Sequence, residues 1–205
     1  MIETIDSGKI KNSNDNKYYK YKIKVLDKTY FDELFSIQKY IAKKLNKPEV
    51  YILLKEKELI EMLGDRGIVV GVFVNGKLYG SCGVYFPGFN EDNLGLDIDL
   101  PKKKLNKVIH LESSNVHPLY RGNSLQYKMA KLLVNRAKDI KSMRYLLNTV
   151  HPKNYPSLKT TFNLDMVIIK ICLKYKGFWR YIFYQDIEKP IFKQEKDIIK
   201  VSNID

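Results

Sequence analysis

Residues 116–126, Val-His-Pro-Leu-Tyr-Arg-Gly-Asn-Ser-Leu-Gln, combine the residue types and spacing most suited to chemistry in this chain. An apolar strand runs into Pro118, a short Arg121-Gly122-Asn123-Ser124 turn follows, and an amphipathic helix begins. The start of a helix has backbone N–H groups with no partner in the helix, and the positive end of its dipole lies there too. Such an end binds anions, phosphates above all, and Arg121 sets a fixed cation beside it. Glu112 lies four residues before Val116 on the entering strand and is the only acid between Leu105 and Lys138. Strand alternation places residues 110, 112, 114 and 116 on one face, so His110 is a neighbouring base. The plainer reading is a solvated carboxylate paired with a lysine and a histidine of structural use.

The stretch resembles the motif of the Gcn5-related N-acetyltransferase (GNAT) superfamily in which Val-x-Pro-x-Tyr-Arg-Gly-x-Gly-x-Gly/Ala precedes a helix. Val116, Pro118, Tyr120, Arg121 and Gly122 match; Ser124 and Gln126 stand where the family has Gly and Gly or Ala. Those glycines let the backbone approach a phosphate closely. Ser124 can still cap the helix, whereas Gln126 must point its side chain away from the ligand. Asn154 and Ser157 match a second family pattern, Asn-x-x-Ala/Ser. Thr161 occupies the position of the family's Tyr, and Asp165-Met166 replaces its Gly-Phe.

The resemblance implies transfer of an acetyl group from acetyl-CoA to an amine, with Glu112 as general base. Acyl transfer needs a neutral amine, a polarised thioester carbonyl and their alignment. On this reading, backbone amides around Asn115, Val116 and His117 hold the pantetheine arm and polarise the carbonyl. Arg121, Gly122, Asn123, Ser124, Leu125 and Gln126 hold the diphosphate, and Asn154 and Ser157 touch the cofactor. The family's proton donor to the departing thiolate is missing at Thr161; Tyr155 and Tyr120 are the substitutes in sequence. No metal is implied.

Charge agrees with an anionic ligand. The net charge is +13. Residues 101–176 contain sixteen Lys and Arg against Glu112, Asp139 and Asp165, while the rest of the chain balances. A positive field there raises the local concentration of an anionic cofactor. Only five of the 36 basic residues are Arg. Phosphate-clamping nucleic-acid binders favour Arg, so a nucleic-acid partner is the weaker reading. The many Lys also fit simple compositional bias.

The elements that must position these residues follow from periodicity. Residues 1–19 are polar and read as loose. Strands fit 20–26, 67–74, 78–86, 108–116, 145–150, 166–173 and 178–186, and Asn75-Gly76 marks a tight hairpin. Helices fit 30–45, 52–63, 124–139 and 154–163. The expected fold class is α/β (α+β): a mixed, mostly antiparallel central sheet with flanking helices and, by the resemblance, splayed central strands. The acyltransferase domain spans 20–187, with 87–106 as an insertion and 188–205 as a tail. The insertion, bearing Glu91, Asp92, Asp97 and Asp99, reads as an ordered lid over the acceptor side.

Cys82 and Cys172 sit in apolar runs and read as buried thiols. No signal core or membrane-length apolar run is present, so a cytoplasmic protein is expected, and a homodimer stays open. Two alternatives accompany the acetyltransferase: a catalytically weakened CoA-binding module, suggested by Ser124, Gln126 and Thr161, and a basic nucleic-acid-associated protein.

Overall fold

The computed structural model describes residues 3–140 and 142–189. Its strands are β1 (Thr4–Lys11), β2 (Tyr18–Leu26), β3 (Gly67–Val74), β4 (Lys77–Tyr85), β5 (Val108–Val116), β6 (Tyr145–Val150), β7 (Val167–Lys174) and β8 (Phe178–Asp186). Its helices are α1 (Phe31–Leu45), α2 (Glu56–Met62), α3 (Leu94–Asp97), α4 (Lys102–Leu105), α5 (Leu125–Lys138) and α6 (Tyr155–Asn163). The strands form one sheet in the order β1-β2-β3-β4-β5-β6-β8-β7. Only β5 and β6 run parallel; all other neighbours are antiparallel.

The apolar stripe of α5 buries Leu125, Met129 and Leu133 against Val72, Ile109 and Leu146 on one face of the sheet. Each such side chain contributes about 1.5–3 kcal/mol by leaving water. α1 and α2 cover the other face through Leu34, Ile41 and Leu59, against Val69 and Phe73. Asn75 and Gly76 turn the β3–β4 hairpin with φ of 49° and 79°, the pair of left-handed residues a type I′ turn requires. Among the described residues no helix is long and apolar enough to cross a membrane.

Three expectations need correction. Residues 4–11 are not loose: β1 pairs with β2 from Thr4↔Lys24 to Lys11↔Tyr18. Only Ile10 of β1 is fully buried, with Ile5 half-buried, so two apolar anchors in a charged strand give little periodic signal. The second helix begins at Glu56, four residues later than its periodicity suggests, leaving 46–55 as a loop along the site. Residues 190–205 of the expected tail lie outside the described residues. Cys82 is buried, as read, but Cys172 is only half-buried.

Two features of the centre of the sheet create the site. β5 and β6 pair only from Val108↔Tyr145 to His110↔Leu147 and then separate. β5 also holds one extra residue against β4: Ser81 faces Asn115, yet Gly83 faces Glu112. Ser113 takes up this bulge with φ of 51°. The bulge breaks strand alternation. His110, Glu112 and Ser113 face the α1 side, where Gln38 donates to Ser113 at 2.6 Å. Val116 packs instead against the α5 core. Residues 110, 112, 114 and 116 therefore do not share one face.

Candidate functional site

A cavity of about 900 Å³ opens where β5 and β6 separate. Glu112, Gln126, Asn154 and Ser157 line it, with Asp92 and Leu94 from the 87–106 segment. Tyr51 from the loop before α2, and Tyr175 and Arg180 around the β7–β8 turn, close it. Of the remaining expected residues, Asn115, Val116, His117 and Arg121 to Leu125 are not part of this wall; the turn they form lies at the α5 end.

Glu112 is held in a fixed relay. The Leu94 backbone N–H donates to His110 Nε2 at 3.0 Å, and His110 Nδ1 lies 3.1 Å from Glu112 Oε1. With Nε2 accepting, the network assigns the proton to Nδ1, which donates to the carboxylate. The imidazole is 2% exposed and Glu112 27%, so the carboxylate faces the cavity from a buried support. A buried histidine that donates to a part-exposed carboxylate fixes its direction and turns it to the cavity, where it can meet a proton donor.

The 87–106 segment reaches this relay as a fixed wall. Asn93, 1% exposed, donates to the carbonyls of Gly88 at 2.6 Å and Leu105 at 3.0 Å and accepts from Gly95 N–H at 2.8 Å. Leu94 packs with Val108, Tyr145 and Leu147. Asp97 pairs with Lys174 at 2.6 Å. Of Glu91, Asp92, Asp97 and Asp99, only Asp92 lines the cavity.

The turn before α5 has the expected shape. Gly122 has φ of 82°, and a Cβ there would meet nothing within 4 Å, so the backbone angle and not space calls for glycine. Ser124 also takes a left-handed conformation, φ 56°, and makes no capping bond with its side chain; its expected cap is corrected. Among the described residues the amides of Ser124 to Tyr127 have no acceptor, as a helix start dictates. Arg121 is exposed, its Nε donating to Val116 O at 3.2 Å. Asn123 is a clamp: its Oδ1 accepts from Lys11 N–H and its Nδ2 donates to Lys11 O, both at 2.8 Å. Gln126 does not point clear of the site as required above; it lines the cavity and donates to Ser157 Oγ at 3.0 Å.

Other assignments change role. His117 donates its amide to Tyr79 O at 2.7 Å within the sheet, so neither it nor Asn115, two residues earlier on the same ladder edge, turns its N–H to the open side. By ladder alternation the backbone N–H groups of Val116 and Ser114, between and before them, point to the side where β5 and β6 part. The His117 ring stacks on Tyr40 at 5.0 Å and accepts from Leu119 N–H at 3.2 Å; burial, helped by Arg121, keeps it below the ordinary histidine range. The Asn115 side chain donates to Ser81 Oγ at 2.7 Å, under the site. Asn154 caps α6, accepting from Ser157 N–H at 3.3 Å.

Both tyrosines offered as proton donors are misplaced. Tyr120 is buried in the α5 core beside Asn12, and Tyr155 is 73% exposed outside the cavity. Thr161 is buried and accepts from Asn148 Nδ2 at 3.1 Å, which leaves Asn148 Oδ1 in the wall without a partner among the described residues. The tyrosines that do line the cavity are Tyr51, Tyr85 and Tyr175, and of these Tyr85 is turned to Glu61 and Asn90. Tyr51 and Tyr175 remain. Burial pushes Tyr51 up to about 12, although Asn115 and Ser113 hydrogen-bond it. Burial also raises Tyr175, whose hydroxyl is 3.1 Å from Thr149 Oγ1. Neither sits in a recognisable motif; the only sequence signal near Tyr175 is the Lys176-Gly177 turn that follows it.

No protein-family model and no curated protein sequence matches the chain. Solved structures do. The acetyltransferase of GNAT family from Streptococcus pneumoniae is 15% identical with a TM-score of 0.60, covering 81% of this chain and 99% of that one. NAA60 of Arabidopsis thaliana, solved in complex with acetyl-CoA, is 13% identical with a TM-score of 0.64, covering 82% and 99%. An N-acetyltransferase from Staphylococcus aureus Mu50 is 13% identical with a TM-score of 0.59, covering 82% and 99%. At this identity the likeness is one of architecture, spanning nearly all of those chains and about four fifths of this one: the chain has the fold of the Gcn5-related N-acetyltransferase superfamily.

Proposed function

We propose that this protein is an acetyl-CoA-dependent N-acetyltransferase acting on an amine, with Glu112 as the general base. The observation that carries the reading is the Leu94–His110–Glu112 relay, which presents the Glu112 carboxyl group to the cavity where the two central strands part. The residues around it fit the co-substrate. Free helix-start amides beside Arg121 suit a diphosphate, and the unpartnered Asn148 Oδ1 suits an amide N–H of the pantetheine arm. Acetyl-CoA supplies the activated acyl group.

Glu112 takes a proton from the acceptor ammonium, directly or through one water, and leaves the amine lone pair free to attack. The N–C bond forms as the C–S bond breaks, and the electron pair departs with sulfur; the nitrogen sheds its second proton as it becomes an amide, and that proton passes to the thiolate directly or through water. The outward N–H groups of Ser114 and Val116 are placed to bond the carbonyl oxygen as its charge grows. Tyr51, protonated at neutral pH, donates a hydrogen bond to the departing thiolate in place of the family tyrosine absent at Thr161.

Titration calorimetry with acetyl-CoA, followed by measurement of CoA release with amines, tests the proposal. Glu112→Gln should lower turnover by about 10²–10⁴ and leave acetyl-CoA affinity intact. Cofactor binding with no turnover on any amine would favour the CoA-binding module, to which Gln126 and Ser124 point. Full turnover in Glu112→Gln would remove Glu112 as the base.

A further inference from the structure

Arg180 stands apart from the chain's other arginines. Arg66, Arg136 and Arg144 pair with Glu61, Glu3 and Asp186, and Arg121 is exposed to water. Arg180 is 3% exposed, lines the cavity and forms no ion pair among the described residues. Its one hydrogen bond runs from Nη1 to the carbonyl of the preceding Trp179 at 3.1 Å. Its guanidinium otherwise rests against the rings of Tyr175 and Phe178, at 5.4 and 6.0 Å. Taking a guanidinium out of water without a counter-charge is costly. The fork of donors left over matches a planar carboxylate.

The surroundings leave the position to a ligand. Of the two lysines of this turn that line the cavity, Lys174 is already neutralised by Asp97, and Lys176 is an exposed cation with no ion pair among the described residues. Glu49 is close enough for its charge to be felt at Arg180 but makes no pair with it. Tyr175 spans the two ends of the cavity: its ring meets Arg180, and its hydroxyl feels the charge of Glu112. A ligand between Glu112 and Arg180 is therefore offered a base at one end, a cation at the other and an aromatic side between them.

We infer that the acceptor is an amine that bears its own carboxylate, an amino acid in the broad sense, with its amine at Glu112 and its carboxylate on Arg180. The inference rests on reading the cavity as the acceptor side of an N-acetyltransferase. It disfavours polycationic amines, which would place positive charge against a buried guanidinium.

Matched acceptors that differ only in the carboxylate test this: phenylalanine and phenylalaninamide, β-alanine and β-alaninamide, lysine and lysinamide, with spermidine as a polycation. Each is assayed by CoA release and titrated by calorimetry into CoA-loaded protein. The carboxylates should exceed their amides in kcat/KM by about tenfold or more. Arg180→Gln should bring the pairs within about twofold, with acetyl-CoA affinity unchanged and Arg180→Lys intermediate. Equal use of amides or spermidine by the wild-type protein overturns the inference. So does a fall in acetyl-CoA affinity in Arg180→Gln, which would assign the guanidinium to the cofactor. If no amine is acetylated, the proposed function fails, and the titrations still decide the anion site. Carboxylate binding lost in Arg180→Gln upholds it, and binding indifferent to the carboxylate or to Arg180 overturns it. Should Arg180→Gln not fold, the wild-type preference and its weakening in Arg180→Lys decide alone.

Discussion

His110 makes two bonds with two different nitrogens, and isosteric substitutions separate them. His110→Asn keeps an N–H donor near the place of Nδ1, facing Glu112, but removes the acceptor for Leu94. His110→Gln keeps a carbonyl oxygen near the place of Nε2, facing Leu94, but removes the donor to Glu112. In His110→Asn the buried Leu94 amide, bonded at 3.0 Å in the native protein, is left unsatisfied. That costs about 1–3 kcal/mol, and for a chain of this size lowers Tm by roughly 2–4 °C per kcal/mol. In His110→Gln, Glu112 loses a charge-assisted bond of about 1.5–3 kcal/mol that fixes its direction. If that bond positions the base, kcat falls by about ten- to a hundredfold. Water can replace the lost donor at the part-exposed Glu112 but cannot reach the buried Leu94 amide, so calorimetric melting and steady-state rates should move in opposite order: Asn lowers stability more, and Gln lowers turnover more. Two variants with the same profile on both readouts would refute the relay.

Further outcomes follow from single contacts. Arg121→Ala should weaken acetyl-CoA binding by about 1–3 kcal/mol, read by calorimetry, if the exposed guanidinium meets the diphosphate; unchanged affinity would dissociate Arg121 from the cofactor. Ser124→Gly should stabilise the fold by roughly 0.5–1 kcal/mol. It relieves a left-handed non-glycine residue worth about 1–2 kcal/mol, against the greater freedom of glycine in the unfolded chain. A lower Tm in that variant would contradict the backbone angle. Burial works to raise the carboxyl of Asp186, yet Arg144 at 2.8 Å and the amides of Glu188 and Lys189 hold it below the usual range. A depressed folded pKa contributes stability that is complete above the unfolded value of about 4 and is lost as pH falls through the folded one. Urea unfolding should find Asp186→Asn less stable at pH 7 by about 1.5–3 kcal/mol. The deficit should close below about pH 4; a constant difference would refute it.

The fold was legible in the sequence wherever periodicity and turn chemistry agreed. Asn75-Gly76 announced its hairpin, and the spacing of Leu125, Met129 and Leu133 announced α5. β1 was not legible, because Ile5 and Ile10 are its only apolar anchors among charged residues, and the side chain that clamps its end, Asn123, is more than a hundred residues away. The turn before α5 was legible in Arg121-Gly122-Asn123-Ser124, but strand alternation failed one residue past Glu112, since nothing in Ser113-Ser114 signals a bulge. Of the three amides expected to be open, Val116 keeps its outward direction, Asn115 and His117 turn into the ladder with β4, and Ser114 joins Val116. Tyr51, Tyr175 and Arg180 were missed for a common reason. They come from a loop, a turn and the interior strand β8, whose contributions converge only in three dimensions, and a lone Tyr or Arg in such a segment has no spacing to read.

The clamp from Asn123 to Lys11 has a thermodynamic consequence. β1 is held at its far end by the side chain of the same turn whose amides suit a phosphate, so fraying of β1 and loosening of that turn are one opening event. A ligand that binds only the closed turn stabilises both by RT ln(1 + [L]/Kd). Amide hydrogens of β1 should then exchange more slowly in saturating acetyl-CoA, although β1 contributes no side chain to the cavity wall. By reciprocity, shortening the chain before Lys11 should weaken the cofactor without removing any group that touches it.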